Sequence, residues 1–439
     1  MINESLVQIP NNSTAVESLI IFIFFPFCSV SPKSYLYSMK ILHTADWHLG
    51  KRLENFSRLE EQKLVMQELV EIADAEKVDV VLVAGDLFDS FNPPTEAVEL
   101  FYKTLKQLSK NGKRPVVAIA GNHDSPDRIN APDPLARECG IILIGHPNAE
   151  IPVYELEHFK ITKSEKGFIE LKLKNFEYPL RILHTAYANE IRLKEYLGED
   201  NKEVALSNSL QNSWQNLADD YCDKNGINVL MAHLYMMKKG AEKPEEPEGE
   251  KPIMIGNADL LFTEIIPPQI QYTALGHLHN FRNIGTLEKP IVYSSSSLCY
   301  SFGEAGQKKQ VNIIDLKPNE VPDMNQVEIT NGKCLHRKTF DNVDNTIDWL
   351  TNNPETLVEL TLESDTFLKA EDRKLLYQTH NGIIHLIPKL KNDIINTDET
   401  DKTINLSQDI QDLFKDYFKS KNQNQQPNAE LMTIFKEII

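Results

Sequence analysis

Five apolar segments of this chain, each about as long as a β-strand, end in a short run of acidic, amide or imidazole side chains. Between them, apolar residues recur at helical spacing, as in 65–73 and 98–108. Strands that alternate with helices in this way are typical of an α/β domain. The polar runs that close the five segments are Asp46 with His48, Gly85-Asp86, Gly121-Asn122-His123-Asp124, His233, and Gly276-His277-Leu278-His279.

We expect these strand ends to meet in space, because ligands of open α/β sheets bind in the crevice beyond the carboxyl ends of the strands. Two pairs, Asp46 with His48 and His277 with His279, are spaced by two residues. If an extended strand continues through a pair, both of its side chains point to the same face. The sequence therefore predicts one cluster of polar side chains at one edge of the domain.

The predicted cluster has the composition of a metal site. It combines carboxylate and amide oxygens with imidazole nitrogens and no thiolate, a donor set that suits Mn²⁺, Fe²⁺ or Zn²⁺ better than Mg²⁺ or Ca²⁺. Seven candidate ligands are too many for one ion, so we predict two ions. Two ions about 3.5–4 Å apart stabilise both the attacking and the leaving oxygen of a displacement at phosphorus. The predicted reaction class is therefore phosphoester hydrolysis.

Taken in order, the motifs D-x-H, G-D, G-N-H-D, H and G-H-x-H resemble the signature of the calcineurin-like metallophosphoesterases, over residues 39–315. More narrowly, "ILHTADWHLGKRL", "VAGDLFDSFNPP", "AGNHDSP" and "ALGHLHNF", with "SFGE" downstream, resemble SbcD-type exonuclease subunits. The resemblance implies an α/β sandwich of two central sheets flanked by helices, with a small α+β capping domain and C-terminal helices.

The same resemblance implies a division of the ligands between two Mn²⁺ ions, with Asp86 bridging them. It makes His123 the catalytic histidine, placed to protonate the leaving oxygen or to stabilise the charged transition state. Asp124 either orients His123 through a carboxylate–imidazole hydrogen bond or caps the next turn. The first ion would be held by Asp46, His48, Asp86 and His279, and the second by Asp86, Asn122, His233 and His277.

Three positions carry no metal assignment. His43 is out of step with Asp46 and His48, and His184 ends an apolar run without a paired partner, so both are interpreted as structural. Residues 295–297 are serines where the family usually has a Gly-Ser-Pro turn. The backbone of that turn is therefore expected to differ, without loss of a ligand.

Charge and composition restrict how the chain can meet nucleic acid. With 46 Lys and Arg against 64 Asp and Glu, the formal net charge is −18, so the overall field does not attract DNA. Contact with DNA must be local, metal-assisted or shared with a partner. The five cysteines are scattered and form no C-x-x-C, which fits a reducing cytoplasm, and no membrane partner is expected.

The chain divides into four predicted parts. Residues 1–38 are interpreted as a non-native or disordered extension, with translation starting at Met39 before the first strand. The phosphoesterase domain is predicted over 39–316, the capping domain over 323–392 after a linker marked by Pro318 and Pro322, and C-terminal helices over 405–439. The Pro- and Glu-rich segment 240–252 is interpreted as a solvated loop.

The resemblance predicts a Mn²⁺-dependent DNA nuclease subunit, a double-strand exonuclease and single-strand or hairpin endonuclease, that acts as a homodimer with an SbcC-type coiled-coil ATPase. The alternative enzyme is a stand-alone metallophosphatase or cyclic-nucleotide phosphodiesterase. A third possibility, a non-catalytic scaffold, is disfavoured because every ligand position is filled. The C-terminal helices either fold back on their own domain or dock on the ATPase. Their apolar faces are formed by Ile410, Leu413, Phe414, Tyr417 and Phe418, and by Leu431, Ile434, Phe435, Ile438 and Ile439.

Overall fold

The structure, a computed structural model of the chain, describes residues 37–196, 202–242, 260–364, 368–390, 410–421, 426–427, 431–432 and 435. Its first elements are β1 (Met39–Thr44), β2 (Arg52–Leu53), β3 (Phe56–Ser57), α1 (Leu59–Ala75), β4 (Val80–Ala84), α2 (Thr95–Leu108), β5 (Val116–Ile119), α3 (Pro126–Asn130), α4 (Asp133–Glu138) and β6 (Ile141–Ile144). There follow β7 (Phe159–Glu165), β8 (Phe168–Leu173), β9 (Leu180–Thr185), α5 (Glu190–Leu193), α6 (Lys202–Tyr221), β10 (Ile227–His233), β11 (Met236–Met237), β12 (Leu261–Phe262), β13 (Tyr272–Gly276), β14 (Arg282–Asn283), β15 (Ile291–Tyr293), β16 (Gln310–Leu316) and β17 (Asp323–Glu328).

The first central sheet has six strands in the order β17-β16-β1-β4-β5-β6. Strands β1, β4, β5 and β6 run parallel to one another. Strand β16 pairs with the other edge of β1 and runs antiparallel to it. Every residue of β4 is buried, as expected of a strand covered on both faces. Helices α1 and α2 cover one face, because their apolar residues, among them Val65, Leu69 and Phe101, belong to the same core as the strands.

The second central sheet has seven strands in the order β14-β15-β13-β10-β9-β8-β7. It faces the first sheet, since β4 contacts both β10 and β13. Helix α6 covers its outer face and buries Leu206, Leu210 and Trp214 there. The predicted sandwich of two central sheets flanked by helices is therefore confirmed.

The remaining elements are β18 (Cys334–Phe340), α7 (Val343–Asn352), β19 (Thr356–Ser364), α8 (Ala370–Thr379), β20 (Ile383–Leu390) and α9 (Ile410–Lys421). Strands β18, β19 and β20 form a three-stranded parallel sheet, and α7 and α8 contact each other. These three strands and two helices form the α+β capping domain. The capping domain packs on the phosphoesterase domain through Leu335 and Leu357, which meet Leu53 and Phe302.

The predicted boundary between the two domains has to be corrected. Strand β17 (Asp323–Glu328), which falls within the predicted capping domain, pairs with β16 and so belongs to the first central sheet. Pro318 and Pro322 lie in the connection between these two strands rather than in a domain linker. The error arises because β17 is an edge strand with mostly exposed polar side chains, which have no apolar periodicity to recognise. The capping domain begins with β18.

Several sequence predictions lie wholly or mainly outside the described residues. These are the extension 1–38 apart from its last two residues, most of the segment 240–252, and the last C-terminal helix apart from Leu431, Met432 and Phe435. Within the described part of the chain, no helix combines the length and apolar character needed to cross a membrane.

Candidate metal centre

Six of the seven predicted ligands lie in loops that follow the strands, and the seventh, His233, is the last residue of β10. Strand β1 ends at Thr44 and β13 at Gly276, and four of the ligands after strand ends have left-handed backbone: Asp46 (φ 52°), His48 (φ 43°), Asp86 (φ 47°) and His277 (φ 104°). The extended-strand explanation for the paired spacing is therefore wrong. Strain of this kind, about 1–3 kcal/mol per residue, persists where surrounding structure enforces it and is concentrated at functional sites.

Hydrogen bonds between neighbouring loops hold this conformation in place. The amide of Asp46 donates to the carbonyl of Gly85 and the amide of His48 donates to the carbonyl of Asp86, both at 2.9 Å. Gly85 (φ 91°) allows the second sheet to come close, because a Cβ at that position would lie 2.2 Å from His233 Nδ1. Only glycine fits this approach.

One group of donors consists of Asp46, His48 and His279, whose ligand atoms lie within 4.8 Å of one another and are buried. The Nε2 atoms of His48 and His279 face each other at 3.0 Å. The same His48 Nε2 lies 3.6 Å from Asp86 Oδ2. These are the four ligands that the family resemblance assigns to the first ion.

The second group is centred on Asn122. Its Oδ1 lies 3.0 Å from His233 Nε2 and 3.0 Å from His277 Nδ1, and His233 Nε2 lies 3.4 Å from Asp86 Oδ2. His233 Nδ1 is 2.8 Å from the carbonyl of Ala84 and donates to it, which directs Nε2 into the site. Asp86 contacts both groups, as a bridging carboxylate should.

Burial shifts the ionisation of these side chains strongly. It raises the pKa of Asp46 to about 7 and lowers the pKa of His48 to about 4 and that of His277 to about 3. At His233 burial acts to lower the pKa, but the nearby carboxylate of Asp86 raises it to about 9. Burial thus disfavours the ionised carboxylate of Asp46 and the protonated imidazolium form of His48 and His277.

The donor set fits a pair of divalent cations. Cations between these side chains would offset the unfavourable burial of the carboxylates, and neutral imidazoles are the form in which histidine binds metal. Four imidazoles and two buried carboxylates converge with the Asn122 amide oxygen, from the end of β10 and from loops that hydrogen bonds fix. When bound, two such ions would activate the attacking oxygen and neutralise charge at phosphorus.

His123 lies at the edge of the site, and its imidazole is held by main-chain contacts. Its Nδ1 lies 2.8 Å from the carbonyl of Asp89, and its amide donates to Asp86 Oδ1 at 2.9 Å. A ligand atom of His123 lies within 4.8 Å of those of His48 and Asp86. Geometry alone therefore allows His123 to act on substrate or to bind an ion.

Asp124 makes different contacts from those of a carboxylate that orients His123. Its Oδ2 accepts from the amides of Leu87 and Gly121, at 3.0 and 2.7 Å, and its Oδ1 accepts from the amide of Phe88 at 2.9 Å. The carboxylate thus ties together the loops that carry Asp86 and Asn122. Of the two predicted roles, the structure favours the local structural one.

Arg192 is a part of the site that no motif in the sequence identifies. This residue of α5 donates to the carbonyls of Gly121, Asn122 and Asp124, at 2.7, 3.2 and 2.8 Å, and so clamps the loop that carries Asn122 and His123. No motif marks it, because its partners are main-chain oxygens about 70 residues earlier in the chain. His43 and His184, which the sequence marks as structural, are both fully buried, and Nδ1 of His43 meets the hydroxyl of Tyr272 at 2.8 Å.

A family model described as calcineurin-like phosphoesterase matches residues 39–281, and the chain belongs to this family of hydrolytic enzymes. Within it, the chain belongs to the SbcD family. It is 35% identical over 408 residues to the SbcD subunit of the nuclease SbcCD from Bacillus subtilis (strain 168), covering 91% of this chain and 97% of the relative.

Two further matches share less sequence with the chain. The SbcD subunit of the nuclease SbcCD from Rhodobacter capsulatus is 31% identical over 291 residues, covering 65% of this chain and 68% of the relative. A solved structure of a dimetal phosphatase from Danio rerio has a TM-score of 0.40 at 12% identity, covering 67% of this chain and all of the other. At that TM-score the structural likeness adds nothing to the assignment.

Proposed function

We propose that this protein is the nuclease subunit of a two-component complex and hydrolyses DNA phosphodiester bonds with two Mn²⁺ ions. The observation that carries the proposal is the convergence of seven ligands into two groups that share Asp86. The SbcD relatives, which are named as nuclease subunits, supply the substrate class.

The residues around the metal pair have two roles: one donates a proton and the others hold the loops in place. With Nδ1 held by the carbonyl of Asp89, His123 presents Nε2 to the substrate, and in its protonated form it donates to the leaving oxygen. Arg192 and Asp124 hold the loop of His123 at a fixed distance from Asp86. The loops therefore supply a preorganised site in which only the substrate has to be positioned.

The net charge of −18 is the reason to include a partner. A chain with this charge repels DNA at a distance, so an ATPase subunit that grips duplex ends and hairpins would supply the affinity. We propose that this partner is an SbcC-type coiled-coil ATPase, and that the nuclease subunit is a homodimer in the cytoplasm. The four described cysteines form no disulfide, which agrees with a reducing compartment.

We place the ATPase contact at the C-terminal helices. The ring of Phe414 in α9 stacks on that of Phe435, with centroids 3.9 Å apart and planes 10° apart. Tyr417, on the same helix, remains 62% exposed. The rings of Phe414 and Phe435 thus support each other, and the exposed part of Tyr417 is aromatic surface of the kind that a helix-to-helix contact buries.

Removing 405–439 tests this placement. We expect the truncated protein to lose co-purification with the SbcC-type ATPase and to lose ATP-stimulated cleavage. Mn²⁺-dependent hydrolysis by the free subunit should persist, because no metal ligand lies in the deleted segment. A truncated protein that still captures the ATPase at full strength would exclude the terminal helices as the contact.

A direct assay separates the nuclease from the alternative stand-alone phosphatase. Full-length protein with Mn²⁺ is incubated with end-labelled duplex DNA and, in parallel, with p-nitrophenyl phosphate esters. We expect cleavage of the DNA, and the His123→Ala variant purified identically controls for a contaminating nuclease. Turnover of the small esters with intact DNA would favour the phosphatase.

A further inference from the structure

The buried carboxylate of Glu304 lies directly behind the metal ligand His279. His279 turns Nε2 toward His48 and the first group of donors, while its Nδ1 lies 3.2 Å from Glu304 Oε1. Glu304 has no exposed surface and belongs to the short 3-10 turn Phe302–Glu304, within the "SFGE" motif. A carboxylate on the far nitrogen of a ligand histidine fixes the ring and its tautomer and makes the ligand more basic.

A buried lysine holds both Glu304 and the main chain of His279. Lys309 Nζ lies 2.5 Å from Glu304 Oε2 and donates to the carbonyl of His279 at 2.8 Å. Glu304 Oε1 also accepts from the amide of Tyr300 at 3.3 Å. Although burial alone would raise the pKa of Glu304, the charge of Lys309 and the neighbouring His279 keep it well below its usual value.

Among the described residues, no other histidine ligand has a carboxylate within hydrogen-bond distance of its outer nitrogen. His233 Nδ1 meets a main-chain carbonyl, and His48 Nδ1 lies 3.6 Å from Asp89 Oδ1, longer than a hydrogen bond. His277 Nε2 has no hydrogen-bond partner in the described part of the chain. Among these four histidines, a buried charged pair thus fixes the ring and backbone of His279 in particular.

We propose that Glu304, with Lys309 as its counter-ion, is a positioning residue that sets His279 for the first ion. This inference rests on the metal pair proposed above. Glu304 touches neither substrate nor ion. Its effect is confined to the group of Asp46, His48, Asp86 and His279, because its hydrogen bonds reach His279 and none of the ligands around Asn122.

The test is a Mn²⁺ titration of the full-length protein followed by electron paramagnetic resonance of free Mn²⁺, which requires no turnover. We expect two ions per wild-type chain. Glu304→Gln keeps the shape of the side chain but removes its charge. It should weaken the binding of one of the two Mn²⁺ ions about 10–100-fold and leave the affinity for the other ion unchanged. Glu328→Gln is the matched control, since Glu328 forms an exposed pair with Lys308 at 2.8 Å, away from the ligands, and should titrate like wild type.

If Glu304→Gln does not fold, Glu304→Asp supplies a second test, because it keeps a charge for Lys309 but draws the carboxylate back from His279 by one methylene. The same selective loss of one ion is expected. The inference is overturned if either variant binds both Mn²⁺ ions with unchanged affinity. It is also overturned if both affinities fall equally and the melting temperature is lower. Fewer than two ions in the wild type would instead overturn the proposed metal pair.

Discussion

At the scale of single residues, His123 and Asp86 lie side by side but should respond differently to removal. We expect His123→Ala to retain two Mn²⁺ ions and to lose about 10²–10⁴-fold in hydrolysis, the usual effect of removing one acid–base group. Metal counting by plasma emission alongside rates makes the test. Asp86→Ala is the comparison, because loss of a carboxylate shared by both groups should deplete both ions.

The position of His123 makes the metal count decisive. Since a ligand atom of His123 lies within 4.8 Å of those of His48 and Asp86, the imidazole could replace one of the assigned ligands. An ion lost from His123→Ala would make His123 a ligand and would refute its assignment as the acid.

Ser295 has a strained backbone that the sequence marks only as a departure from the family turn. It has φ 84° and is buried, and its hydroxyl donates to the carbonyl of Gln310 at 3.2 Å. Glycine adopts this region freely, whereas a Cβ there costs about 1–2 kcal/mol.

We therefore expect Ser295→Gly to be more stable than Ser295→Ala by about 1 kcal/mol in urea unfolding, because both lose the hydroxyl and only alanine keeps the Cβ. The sign is informative, since glycine is normally the less stable of the two within regular structure. Equal stability, or a more stable alanine variant, would mean that the turn relaxes without cost.

At the scale of secondary-structure elements, strand β9 contains a histidine that opposes folding in acid. His184 is fully buried, and neither ring nitrogen has a hydrogen-bond partner among the described residues. Burial lowers its pKa to about 3. The pKa of His184 is lower in the folded state than in the unfolded state. The free energy of unfolding is therefore highest above about pH 6.5 and decreases as the pH falls toward 3.

This predicts that His184→Leu flattens the dependence of stability on pH. At pH 5 the wild type should have lost ~2 kcal/mol relative to pH 8 through this residue, and the variant should not. Urea unfolding at both pH values measures the difference. His158→Leu is the matched control at a ring that is 36% exposed, and it should leave the wild-type pH dependence in place. A His184→Leu profile parallel to the wild type would contradict the prediction.

The elements show which parts of the site the sequence could predict. The apolar segments before Asp46, Asp86 and His233 predict β1, β4 and β10. The parallel pairing of β1 with β4, and the packing of β10 from the second sheet against β4, bring their ends together. Left-handed backbone at Asp46 and His48 could not be read from periodicity, which carries no information on φ at a strand end. Contacts of long sequence separation were missed for the same reason, because no local pattern relates Arg192 to the loop at 121–124.

At the scale of the whole molecule, helix α1 fastens the connection between the two domains. Glu68 Oε1 accepts from the amide and hydroxyl of Thr330, at 2.8 and 2.7 Å, and Oε2 accepts from the amide of Asn331 at 2.8 Å. Two turns earlier, Glu61 Oε2 accepts from the amide of Lys333 at 2.6 Å. Two carboxylates of one helix thus hold residues 330–333 immediately before β18, beside the apolar contact of Phe302 with the capping domain.

Loss of these contacts should release the capping domain without unfolding the sandwich. Hydrogen bonds to a charged group contribute about 1.5–3 kcal/mol, so Glu68→Ala should raise the rate of Lys-C cleavage after Lys333 by about 10–100-fold. Mass spectrometry of peptides that end at Lys333 or begin at Cys334 measures cleavage of this bond. Glu60→Ala changes an exposed glutamate of the same helix, which pairs only with Lys63 among the described ion pairs, and should be cleaved like wild type. Equal cleavage of the Glu68→Ala variant and the wild type would show that apolar packing alone seats the capping domain.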